Sequence, residues 1–152
     1  MSHGCLSGLH NDVFWKLYYD RIQRRRYYAT NILGAVGSDL SALAAFYRTV
    51  WSDPDPVLNQ SGRSLLLRQT SFYLRSLGRF REAETTAKLA FENAEMDRDV
   101  TGGKIIAAGL VSELALLAGK ISDAIEFGRL AVQLPGIQTQ SRFHIVAQFH
   151  YS

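Results

Sequence analysis

Arg24, Arg25 and Arg26, with Arg21 one turn before them and Tyr18, Tyr19, Tyr27 and Tyr28 on either side, are the residues best equipped to act on a partner. Guanidinium groups neutralise phosphates and tyrosine rings stack on bases, so this stretch is a candidate nucleic-acid contact. The same pattern suits a solvated helix face whose tyrosines rest on a neighbouring helix, and the charge is local instead of spread along a groove. Lys16, Arg21, Arg24, Arg25 and Arg26 against Asp12 and Asp20 account for the whole net charge of +3, and the rest of the chain is balanced. His3, Cys5 and His10 lie close together, but their spacing matches no common zinc pattern. His144 and His150 would point to different helix faces and read as packing residues. Gly102-Gly103-Lys104 has the residue types of a phosphate loop without its preceding strand or spaced first glycine, and reads as a helix start. No nucleophile with a base, metalloprotease helix or pair of carboxylates in an apolar setting follows, so no enzyme activity, cofactor or metal is expected.

The elements that must position these residues are legible from a repeat. Gly37, Gly78 and Gly119 stand 41 residues apart, in step with Ala42, Ala83 and Ala124, with Thr49, Ala90 and Ala131, and with Val50, Phe91 and Val132. Small residues recurring beside a large apolar one describe a helical unit that cannot bury its apolar face alone. Ala83, Ala87, Ala90, Phe91 and Ala94 follow the 3.6-residue period, and Leu66, Leu67, Thr70, Leu74 and Leu77 form the stripe of a preceding helix from about Arg63 to Leu77. The same pairing is expected from Thr101 to Ala118 with Ser122 to Leu134, and before Gly37 with Ser38 to Trp51. Breakers close each hairpin at Asp53-Pro54-Asp55-Pro56, Glu95 to Asp99 and Pro135-Gly136. No segment alternates well enough to predict a sheet, so the fold class expected is all-α.

Leu77-Gly78-Arg79-Phe80-Arg81-Glu82-Ala83, followed by Ala87, Ala90 and Phe91, resembles the second half of a tetratricopeptide repeat. Ala118 to Ala124 with Ala131 and Val132 is similar, and Val36 to Ala42 with Phe46 and Pro54 is a more degenerate copy. The period exceeds the usual 34 residues of that family. The leading Trp of the pattern is replaced by Arg26, Leu67 and Ala108, and its small glycine by Thr30, Ser71 and Ser112. The run Trp15 to Ile22, continuing through Tyr27-Tyr28-Ala29 and Leu33 to Gly37, also resembles repeat regions attached to bacterial signalling ATPases of the STAND type. The resemblance implies a right-handed superhelical stack of three hairpins, at about residues 23–56, 62–97 and 101–136, with a partial fourth unit at 138–152. It further implies a concave wall made by the first helix of each hairpin. Carried over by register, that wall holds Arg24, Tyr27 and Asn31, then Leu65, Arg68, Phe72 and Arg75, then Ile106, Glu113 and Leu116. Mixed arginines and aromatics suit a peptide or helix of another protein, an acidic one included. Protein binding is therefore the expected function, in a sensor or scaffold, with nucleic-acid binding through Arg21, Arg24, Arg25 and Arg26 as the alternative.

A chain of 152 residues suffices for one domain that buries roughly two thirds of its unfolded surface. The single cysteine, Cys5, forms no internal bridge, no secretory leader is evident, and no apolar run approaches the roughly 20 residues that span a bilayer. A soluble cytoplasmic protein is expected, in which the sequon at Asn59 has no meaning. From Ser141 to Ser152, Phe143, Ala147 and Tyr151 follow one helical stripe while Ile145 and Phe149 follow another. A last helix apolar on two sides predicts self-association through Phe143, Ile145, Phe149 and Tyr151, most simply as a two-fold homodimer.

Overall fold

The computed structural model describes residues 9–24, 34–94 and 101–134. A short helix α1 (His10–Asp12) runs directly into a π-helical segment, Val13–Ile22. Its wider winding closes with the Gln23 N–H donating to the Tyr18 carbonyl at 2.9 Å, an i→i+5 bond, and it sets Phe14, Tyr18 and Gln23 together in the interior. Next come α2 (Val36–Ala44) and a two-stranded antiparallel sheet of β1 (Tyr47–Thr49) and β2 (Asp53–Pro54). Two helical hairpins follow: α3 (Gln60–Ser76) with α4 (Phe80–Ala94), then α5 (Thr101–Leu117) with α6 (Ile121–Gln133).

The two hairpins share their turn and their closest crossing contact. Gly78 and Gly119 adopt φ of +74° and +73°, the left-handed conformation that a side chain disfavours. Past each glycine a backbone N–H returns to the helix it left, Arg79 to the Leu74 carbonyl at 2.9 Å and Lys120 to the Ala115 carbonyl at 2.8 Å. Within each hairpin a serine hydroxyl then donates across to the facing helix. Ser71 reaches the Ala83 carbonyl at 2.9 Å, and Ser112 reaches the Ala124 carbonyl at 2.7 Å. Donor and acceptor are each displaced by the 41 residues of the sequence repeat. Ala83, Ala90, Ala124 and Ala131 are all buried, as are Leu67 and Ala108 in the slot of the leading aromatic.

The first copy departs from this plan. Helix α2 stops at Ala44, where the expected helix ran on to Trp51, and the chain folds back as β1 and β2. The physical cause is local. Tyr47, Thr49 and Val50 favour extended backbone, and Trp51 takes a φ of +67° to reverse the chain. Pro54 sits on a strand that needs no donor from it. The Trp51 ring is held edge-on against Tyr47 at 5.5 Å with the Arg79 guanidinium 5.8 Å from its centre. Thr49 and Val50 are consequently exposed, unlike Ala90, and the all-α expectation becomes a mostly helical fold with one small sheet. Gly37 lies inside α2, and the left-handed glycine that precedes it is Gly34, at φ +62°.

One apolar core runs through the molecule, from Phe14, Tyr18, Leu43 and Phe46 through Leu66, Leu74 and Ala87 to Ala107, Val111 and Leu114. Among the described residues no helix is long and apolar enough to cross a membrane.

Candidate functional site

Helices α3 and α5, the first of each hairpin, pack against one another, so their equivalent positions share a wall. Phe72 and Arg75 of α3 correspond, 41 residues on, to Glu113 and Leu116 of α5. Phe72 keeps 39% of its surface exposed. The Arg75 guanidinium lies 5.0 Å over its ring and forms an ion pair with Glu113, so one side chain ties an exposed aromatic to the neighbouring hairpin. Both charged side chains are about three-quarters buried, at 22% and 25% exposure. The Phe72 ring also meets Tyr73 edge-on at 5.9 Å. Leu116 is exposed beside this group in register, Ile106 is half-buried, and Leu65 is buried.

Of the side chains expected to form the wall, the structure therefore unites Phe72, Arg75 and Glu113. Arg68, two turns before Arg75, is half-buried, and its Nε donates to the Ser64 carbonyl at 3.4 Å. Arg24 ends the N-terminal helical segment at φ +50° and is exposed, as is Arg21. Tyr27, Asn31, Arg25 and Arg26 lie outside the described residues, as do Phe143, Ile145, Phe149 and Tyr151. The charge state of the wall differs from the expectation of arginines awaiting carboxylates, because Glu113 already engages Arg75.

A second polar cluster is enclosed where the N-terminal segment, α2 and α3 meet. The Gln23 amide donates to Asp39 Oδ2 at 2.8 Å, to the Tyr18 hydroxyl at 3.1 Å and to the Tyr73 hydroxyl at 3.4 Å. Tyr73 donates to Asp39 Oδ2 at 3.2 Å and accepts from the Gln69 amide. All five side chains are buried. Burial, followed by the nearby Tyr73 and Asp39, pushes the Tyr18 phenol far above the ordinary tyrosine value, so it remains neutral. Tyr47, which donates to Thr70 Oγ1 at 2.9 Å, is likewise pushed up by burial. Neither phenol has the near-neutral pKa that general acid–base chemistry uses. The sequence carried one sign of this cluster. Asp39 falls on the apolar stripe of Val36, Leu40 and Leu43, where a carboxylate needs partners.

The remaining candidates take structural places. His10 Nε2 lies 3.3 Å from the Asp55 carboxylate, and His3 and Cys5 lie outside the described residues. Gly102-Gly103-Lys104 opens α5 as expected, with the Lys104 ammonium 5.0 Å over the Phe91 ring. Among the described residues no three His, Cys, Asp or Glu side chains group to hold a metal. No family model matches the chain, nor does any curated protein or solved structure.

Proposed function

We propose that the chain is a non-catalytic protein-binding module, a right-handed stack of tetratricopeptide-like hairpins whose wall of first helices receives a segment of another protein. The observation that carries this reading is Phe72, an exposed aromatic clasped by Arg75, which Glu113 fixes from the next hairpin. An anchor held in place before its partner arrives loses little side-chain freedom on binding. Aromatic and arginine side chains also supply most of the energy at protein interfaces. Because Arg75 and Glu113 neutralise each other, the wall suits a peptide with a large apolar side chain to lie against Phe72 and Leu116, more than a run of acids. A lone cysteine suits a reducing cytoplasm, and the signalling-ATPase resemblance suits a sensor or scaffold.

Selection of phage-displayed peptides on the full chain tests the reading, with affinities of the enriched peptides measured by fluorescence polarisation. Enriched peptides should share an apolar anchor. Phe72→Ala should weaken them about tenfold or more, a loss of about 1.4 kcal/mol. Arg81→Ala, at an exposed position on α4, should not. Failure to enrich any peptide, or binding indifferent to Phe72→Ala with the fold intact, would end it.

A further inference from the structure

Gly109 stands in the middle of α5, on the wall of first helices, for no reason internal to the fold. Glycine is the weakest helix former after proline, and two circumstances ordinarily explain one inside a helix. The first is a left-handed backbone, which here belongs to Gly34, Gly78 and Gly119 and not to Gly109. The second is a neighbour too close for a side chain. Gly62 is such a case, since an added Cβ would meet Asn59 Oδ1 at 3.0 Å and the Trp15 indole nitrogen at 3.5 Å. At Gly109 the added carbon would meet no atom of another element within 4 Å among the described residues, and the glycine is itself partly exposed. The space beside it faces out of the wall.

Its place gives that space a use. Helices α3 and α5 run the same way, each into a hairpin turn, and Arg75 pairs with Glu113 near the turn ends of both. Phe72 lies one turn before Arg75 and Gly109 one turn before Glu113, so the exposed ring and the bare stretch of helix are level. The preceding hairpin carries Arg68 where α5 carries Gly109. We infer that Gly109 is the floor and Phe72 the side of a slot that takes an aromatic side chain of a bound peptide, with the missing Cβ setting how deeply the ring enters. The slot has this use only if the wall binds protein as proposed above. Charge complementarity selects an uncharged occupant, because Arg75 and Glu113 engage each other and a neutral ring leaves neither stranded. Flatness selects an aromatic one. A ring can lie on bare helix and still meet Phe72 edge-on or offset, the arrangements that aromatic pairs favour, whereas an aliphatic chain fills the slot without that pairing.

Gly109→Ala and Gly109→Leu test the slot on the full chain, with phage-selected peptides as probes. Both put a better helix former into open space, so each should raise the melting temperature by about 2 °C or more. Both should weaken the peptides, alanine by about threefold and leucine by about tenfold or more. Stability and affinity then move in opposite directions, which a merely structural glycine would not produce. Gly37→Ala, in α2, where an added Cβ also meets nothing within 4 Å, should leave affinity unchanged. The enriched peptides should carry Phe, Tyr or Trp at the anchor, and its change to Leu should weaken them by about fivefold. Peptides that are weakened by Phe72→Ala yet bind the Gly109→Leu protein unchanged would overturn the slot and leave the protein-binding reading standing. Aliphatic anchors throughout, or a lowered melting temperature in Gly109→Ala, would overturn it as well. Failure to enrich any peptide would end both.

Discussion

Tyr73→Phe removes one oxygen from the molecule and leaves its ring in place, so its effect reads the enclosed polar cluster alone. The hydroxyl donates to Asp39 Oδ2 and accepts from Gln69, inside a side chain that is 1% exposed. Its loss takes a donor from a buried carboxylate, a bond worth about 1.5 to 3 kcal/mol, and strands the Gln69 amide at a further cost of about 1 kcal/mol. The sum predicts about 2.5 to 4 kcal/mol of destabilisation. Tyr18→Phe makes the same chemical change with a smaller consequence. The Gln23 amide that loses Tyr18 keeps Asp39 at 2.8 Å, so about 1 kcal/mol is expected. Urea unfolding at pH 7, followed by circular dichroism, measures both. With a slope of about 2 kcal/mol per molar, Tyr73→Phe should lower the midpoint by more than 1 M and Tyr18→Phe by about 0.5 M. Equal losses, or a loss below about 0.5 kcal/mol for Tyr73→Phe, would refute the claim that the Tyr73 hydroxyl holds more of the buried cluster than the Tyr18 hydroxyl does.

The repeated serine bond predicts that Ser71→Ala and Ser112→Ala each cost about 0.5 to 1.5 kcal/mol and agree closely with one another, measured by the same unfolding assay. Alkali should unfold the protein early. Tyr18 and Tyr47 have folded pKa values raised above the ordinary 10.0, so their neutral forms give full stability below that pH, and each withdraws up to about 1.4 kcal/mol per pH unit above it. Titration of the thermal midpoint from pH 9 to 12 should show that decline, with Tyr47→Phe reducing its slope.

The equal spacing of Gly78 and Gly119 made the two later hairpins legible, because a 41-residue interval repeats only if each unit meets its neighbours in the same way. Ala83 with Ala124 and Ser71 with Ser112 then follow from one constraint, that helices crossing closely tolerate only small side chains. The first copy misleads because its spacing survives while its packing does not. Thr49 and Val50 occupy the register of Ala90 and Ala131 with their neighbours, yet they are β-branched and stand before Asp53-Pro54, and local backbone preference prevails where no small-residue contact opposes it. The π-helical Val13–Ile22 is likewise silent in the sequence, since i→i+5 winding has no composition of its own.

The wall was legible in register and illegible in charge. The resemblance, carried over by register, placed Phe72 and Arg75 on one wall with Glu113 of the next hairpin, but whether an arginine waits for a partner or is already engaged depends on a few ångströms between two hairpins. That distance changes the meaning of the residue. A free guanidinium would select acidic peptides through its paired donors. One that is engaged by Glu113 and laid on Phe72 stiffens an aromatic surface, and under the proposed protein-binding function selectivity would then rest on apolar fit. Glu113→Gln separates these roles. It should leave Phe72 in place and return a full positive charge to the wall, so a peptide with an acidic residue beside its anchor should gain affinity over its neutral counterpart only in that variant.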